Sequence, residues 1–201
     1  MEEMETDAEV HEHRSRVLDG MARAVAAKGY ADTTIADVVR EAAVSRRTFY
    51  EHFATKADCL VALYEAASRH PLRVMREAID PAHDWQAQVE HALGAYFSCM
   101  ALDPVLMRTL FIEILHLGPP GLAARRRVNQ DLADFILEVV NGAHRSGRKR
   151  STPLSPTLAM AIVGGINELV LQAIETDRVA RLQELVAPGS ALIRAVTAAG
   201  S

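Results

Sequence analysis

The stretch TTIADVVREAAVSRRTFYEHFATKADCL, residues 33–60, decides how the chain is read. Thr34 can cap a helix, and Asp37 stands three residues on, a capping box with Asp in place of Glu. Ile35, Val38, Val39 and Ala42 then recur at helical spacing and give a short helix, ending near Ala43, one apolar side. Ser45 can cap a second short helix that runs from Arg46 to about Phe53, with Val44 packed just before the cap. Phe49 and Phe53 lie four apart and share its inner face, which leaves Arg46, Arg47, Tyr50 and Glu51 outside. Thr55 and Asp58 open a further helix, apolar through Leu60, Val61 and Tyr64, with a kink or restart expected at His70-Pro71. Two short helices joined by a tight turn, the second polar and basic on its free side, form a helix-turn-helix. The second helix of such a pair fits the major groove, and its first turn presents free amides and a positive dipole end to phosphate.

Upstream, Val17, Leu18, Met21, Ala22 and Val25 line one face of a helix from about His13 to Lys28. Gly29 fits its left-handed stop, and Tyr30 the apolar contact that follows. Residues 1–12 hold six acids and no Lys or Arg, which predicts a disordered acidic arm. Residues 13–56 hold eight basic residues against five acidic ones, net +3 in a chain of net charge −4. The local sign suits nucleic acid, although charge alone would not decide it.

In order, the Thr cap, the Val-Ser turn, Thr-aromatic-Tyr, His-Phe and a Lys opening the next helix resemble the TetR family of transcriptional regulators across residues 13–65. The resemblance implies an all-α fold of about nine helices, an N-terminal three-helix helix-turn-helix DNA-binding domain followed by a C-terminal helical bundle. The expected boundaries are 1–12 for the arm, 13–58 for the DNA-binding domain and 59–201 for ligand binding and dimerisation. It also implies roles. Arg46 and Arg47 occupy places that reach base edges, where arginine pairs bidentately with guanine. Thr48 meets a thymine methyl or a phosphate, Tyr50 and His52 form a phosphate-contacting pair, and Lys56 is another phosphate ligand. Thr34 touches the DNA backbone from its cap, and Ser45 is a further DNA-binding position. For the arginines the alternative is a solvated helix face, and for the hydroxyls simple capping. Ala43 departs from the family pattern, which has Gly in the turn, and a left-handed alanine costs about 1 kcal/mol.

Further helices are expected at about 84–101, 103–117, 120–145, 155–176 and after Pro188. The breaks are Asp103-Pro104, Gly118-Pro119-Pro120-Gly121, a basic polar linker with Arg145, Arg148, Lys149 and Arg150, and Ala187-Pro188-Gly189. Leu158, Ile162, Gly165, Ile166 and Leu169 form a stripe on one helix, and Leu192, Ile193 and Val196 on the last. By resemblance these two helices make a four-helix interface in a homodimer that reads a palindromic operator on double-stranded DNA; the alternative is intrachain core. The resemblance also implies a small-molecule effector inside the bundle. Trp85, Tyr96, Phe97, Met100, Met107, Phe111, His116, Asn129 and Phe135 are candidates to line its pocket and suit a largely apolar ligand. The same residues could be plain core.

Other classes find less support. No HExxH and no Cys-His ligand spacing occurs, so neither a metal site nor a cofactor is expected, and His83, Glu90 and His91 read as scattered surface groups. Cys59 and Cys99 make no disulfide framework. The acidic start is unlike a signal peptide, and charged or amide residues interrupt the apolar runs, so a cytoplasmic chain without a membrane span is expected. The reading is a DNA-binding transcriptional regulator and not an enzyme, a repressor released by an apolar effector. The alternatives are a small-molecule binding or enzymatic bundle with an incidental helix-turn-helix, and an effector-independent DNA-binding protein.

Overall fold

The computed structural model describes residues 7–80, 82–142 and 153–198, and among these it holds nine α-helices and no strand. They are α1 (Asp7–Asp32), α2 (Ile35–Ala42), α3 (Arg46–His52), α4 (Lys56–Glu77), α5 (Trp85–Ala101), α6 (Pro104–His116), α7 (Pro119–Gly142), α8 (Pro156–Glu175) and α9 (Val186–Ala198). A short 3-10 stretch, Val179–Leu185, leads into α9.

The all-helical expectation holds, with two corrections at helix ends and with α4 unbroken at Pro71. α1 begins at Asp7, so residues 7–12 are helix and not a disordered arm; acids in a first turn complement the helix dipole. α4 runs through Pro71 without a restart. Pro188 does not interrupt the last helix but sits in its first turn, where proline loses no helical hydrogen bond. The first six residues and the basic linker at 145–150 lie outside the described residues. Gly29 takes φ +78°, a conformation side chains rarely adopt, and ends the regular part of α1 as expected.

The chain divides into two compact units. One takes the residues up to Ala67 together with Arg108–Ala124; the other takes Ser68–Met107 and the residues from Arg125 onward. The N-terminal unit is therefore larger than the expected 13–58. Its core includes Val17, Met21 and Val25 of α1, Val38 of α2, Phe49 of α3 and Leu60 of α4, all buried. α1 and α2 press together at Gly20, where a Cβ would stand 2.7 Å from the Val38 carbonyl oxygen.

In the C-terminal unit α5 packs on the 3-10 stretch and on α9, and α8 packs on both of these. Phe97, Ile162, Val170, Ile174 and Leu182 are among its most buried side chains. α8 alone among the described helices is long and apolar enough to cross a membrane. Here it is a core helix, with Ile162, Val163, Ile166 and Val170 buried.

Candidate nucleic-acid interface and cavity

α3 is fixed from both ends and from below. The Thr48 N–H donates to Ser45 Oγ at 3.0 Å, which makes Ser45 the expected N-cap. Phe49 is fully buried and Phe53 nearly so, with ring centroids 5.9 Å apart. That anchor turns Arg46, Arg47 and Tyr50 outward; Tyr50 is 56% exposed and stands edge-on to Phe49 at 5.5 Å. Arg47 donates to Glu51 at 2.9 Å one turn on, yet its side chain is 80% exposed. Ser45, Arg46, Arg47, Thr48 and Tyr50 thus belong to one short helix and its cap, with only Thr48 partly covered.

The turn before α3 carries the predicted strain. Ala43 adopts φ 52°, ψ 46°, the left-handed region. Arg16 of α1, which sequence reasoning missed, holds this turn. Its guanidinium donates to the Ala42 carbonyl at 3.1 and 3.3 Å and to the Ala43 carbonyl at 2.5 Å. A cation at a helix C-terminus satisfies carbonyls that have no helical partner and opposes the dipole's negative end. Arg23 does the same at the Glu41 carbonyl.

Asp37 gathers the start of α2. Thr34 N–H and Oγ1–H donate to its Oδ2 at 2.9 and 2.6 Å, and its own N–H donates back to Thr34 Oγ1 at 3.2 Å. The predicted capping box is present. Lys28 adds a 2.5 Å hydrogen bond and Arg40 an ion pair at 3.0 Å. The Lys28 ammonium first, then the Thr34 donors, hold the Asp37 carboxyl well below the usual carboxylate range.

Two expected phosphate ligands point inward. Lys56 Nζ donates to the carbonyls of Tyr30 and Thr33 at 2.8 and 2.6 Å and lies 4.1 Å from the Tyr30 ring centroid. Partial burial lowers its pKa. Lys56 thus ties the start of α4 to the loop between α1 and α2. His52 is half-buried, and its Nε2 is buried without a hydrogen-bond partner, so that nitrogen is not offered to a phosphate. Cys59 is fully buried, which pushes its thiol up to about 12 and leaves it a core residue.

The C-terminal unit holds a cavity that is partly open to solvent. Its wall comes from Met75 of α4 and Ile79 just beyond that helix, Trp85, Val89, Ala92, Leu93 and Tyr96 of α5, five residues of α7 between Leu132 and Val140, Val163, Ile166 and Asn167 of α8, and Ile193 of α9. Of the nine predicted pocket residues, Trp85, Tyr96 and Phe135 line it. Phe97 and Met100 are buried elsewhere in the core. Met107 is off the wall, and Phe111 and His116 fall in the other unit, where His116 Nδ1 lies 3.0 Å from Glu113. Asn129 stands behind the wall and accepts a hydrogen bond from Asn167 at 3.0 Å. The missed wall residues did carry a signal: Leu132, Ile136 and Val139 repeat at helical spacing, and Asn167 is a lone amide in an apolar stripe.

The predicted dimer stripe divides. Ile162, Ile166 and Ile193 are buried within the single chain, and the last two line the cavity, so they are intrachain core and not interface. A Cβ on Gly165 would meet Leu192 of the same chain at 2.8 Å, so its close approach is to α9 of its own bundle. Leu158 is exposed, and Leu169, Leu192 and Val196 are partly exposed. His83 lies 5.1 Å from His91, but no group of three or more His, Cys, Asp or Glu that could hold a metal occurs among the described residues.

Residues 17–63 match the family described as bacterial regulatory proteins, tetR family. Over 94 residues, 46% of this chain, the sequence is 33% identical to the HTH-type transcriptional regulator SrpR of Pseudomonas putida. That match takes in 44% of SrpR, so the chain spans less than half of that relative's length. The uncharacterized HTH-type transcriptional regulator TtgW, also of Pseudomonas putida, is likewise 33% identical over 94 residues, 46% of this chain and 69% of that protein. Among solved structures, the transcriptional regulator FadR from Bacillus subtilis, in complex with stearoyl-CoA, superposes with a TM-score of 0.77 at 19% identity, covering 89% of this chain and 96% of that one. That likeness is one of fold.

Proposed function

Since the chain belongs to the tetR family of bacterial regulatory proteins, we propose that it is a homodimeric, cytoplasmic DNA-binding transcriptional regulator, a repressor released when a small, largely apolar effector enters the cavity. The outward face of α3 carries the reading. Arg46 and Arg47 pair with base edges, while Thr48, Tyr50 and the capped starts of α2 and α3 at Thr34 and Ser45 meet the backbone. Lys56 acts by holding the α1–α2 loop, through its bonds to Tyr30 and Thr33.

The cavity's apolar wall supports an apolar effector, and the stearoyl-CoA held by the Bacillus subtilis protein is in keeping with one. α4 begins at Lys56 and contributes Met75, near its last turn, to the cavity wall. The exposed edge at Leu158, with Leu169, Leu192 and Val196, is the surface offered to a second copy, which brings two reading heads to a palindromic operator.

The test is fluorescence anisotropy of a labelled duplex from upstream of the chain's own coding region. The wild type binds it more tightly than random DNA, and an apolar compound that changes the emission of Trp85, the single tryptophan, releases it. Equal binding to random DNA overturns the regulator reading. Binding that persists with the cavity filled leaves an effector-independent DNA-binding protein.

A further inference from the structure

The geometry points to an uncharged hydrogen-bonding group on the effector, such as an amide, read by the side chain of Asn167 at one end of the cavity. This rests on the cavity being the effector site.

Asn167 is 7% exposed and sits in the apolar stripe of α8 between Val163, Ile166 and Val170. Its Nδ2 donates to Asn129 Oδ1 at 3.0 Å, its one hydrogen bond among the described residues. An asparagine amide has two N–H donors and a carbonyl with two lone pairs. Whichever way the amide faces, the bond to Asn129 leaves at least one donor and one acceptor open. Open amide valences in an apolar wall are costly until a partner fills them. Asn167 lines the cavity, so a ligand in it can be that partner.

The rest of the described wall offers no charge. Among the described residues no Asp, Glu, Lys, Arg or His lines the cavity. The cation beside it, Arg76, lies 5.0 Å from the Phe135 ring centroid and is already matched by Glu138 at 2.6 Å. A carboxylate head would lose its water and gain no counter-charge. A primary amide offers both a donor and an acceptor and can match both open valences of Asn167.

The placement sets the ligand's direction. Along α7 the wall runs from Leu132 to Val140, about 12 Å at 1.5 Å per residue, and Asn129 precedes Leu132. The polar head belongs at the Asn129 end, and the apolar body lies along Phe135, Ile136 and Val139.

The probes are decanamide, decanoate and n-butylbenzene, titrated into the full chain at neutral pH by calorimetry and by Trp85 emission. Decanamide is expected to bind at least about a hundredfold more tightly than decanoate. Asn167→Leu, close in volume, is expected to weaken decanamide about tenfold and to leave n-butylbenzene unchanged. The wild-type ranking stands whether or not the variant folds. Amide and carboxylate binding within threefold of each other overturns the inference and leaves the cavity reading intact. So does an equal loss of decanamide and n-butylbenzene in a folded Asn167→Leu. Failure of all three probes to bind overturns both the inference and the cavity as effector site.

Discussion

In the N-terminal unit the ends of the short helices are tied by side chains. Thr34 and Asp37 close the start of α2, Arg16 closes its end, Ser45 starts α3, and Lys56 ties α4 back to the α1–α2 loop. In the C-terminal unit the wall-forming helices meet largely through apolar faces, and the packing leaves a cavity. Helices of seven and eight residues are too short to hold themselves, so polar ties must fix the angle at which α3 is presented. A set of longer helices with broad apolar faces needs fewer such ties, and it can keep an apolar space that a ligand fills. The difference separates a unit whose short helices are tied at their ends from a unit whose apolar packing leaves a space.

The largest expected effect lies in the second unit. Phe97 is fully buried there, and Phe97→Ala is expected to lower the unfolding free energy by about 3–5 kcal/mol, read by denaturant titration. A change under about 1 kcal/mol would mean that this unit is not held by its packing.

In the first unit, Lys56→Met removes the ammonium's hydrogen bonds to the Tyr30 and Thr33 carbonyls and is expected to cost about 1–3 kcal/mol of stability. The salt dependence of DNA binding should stay as in the wild type. A slope reduced by about one phosphate contact, with stability unchanged, would return Lys56 to the DNA.

Arg16→Ala is expected to destabilise by about 1–2 kcal/mol, and adding Ala43→Gly should recover up to about 1 kcal/mol by relieving the left-handed alanine. Equal effects of Ala43→Gly with and without Arg16 would show that the two do not act on the same turn.

The smallest effect is pH-dependent. Asp37 has a lowered carboxyl pKa in the folded chain, so its contribution is fully present above the unfolded carboxylate value of about 4 and is lost as the pH falls below it. Asp37→Asn should flatten this acid loss. A circular-dichroism melt against pH that is the same in both chains would contradict the role given to Asp37.

The same difference governs how much was legible in the sequence. The caps at Thr34, Ser45 and Thr55, the Phe49–Phe53 anchor and the left-handed Ala43 could be read because each depends on residues within a few positions. Arg16 and Lys56 could not be placed, because their partners lie 26 and 23 residues or more away, and a long cation shows no spacing signal toward a distant carbonyl. The cavity was legible only in part. Periodicity showed which residues of α5, α7 and α8 are apolar, but not that Phe97 packs into the core while Phe135 faces the space. The α8 stripe was visible as well, and its assignment to a second copy failed for Ile162 and Ile166 because the same spacing serves intrachain packing.

The most direct test of the central claim is selection of bound DNA from a random duplex pool, run with the wild type and with Arg46→Ala/Arg47→Ala. The wild type is expected to enrich a palindrome, and the double variant to lose that enrichment while keeping its weak binding to bulk DNA, since each lost base contact removes about 1–3 kcal/mol of discrimination. Enrichment of the same palindrome by the double variant, or none by the wild type, would contradict the assignment of DNA reading to the outer face of α3.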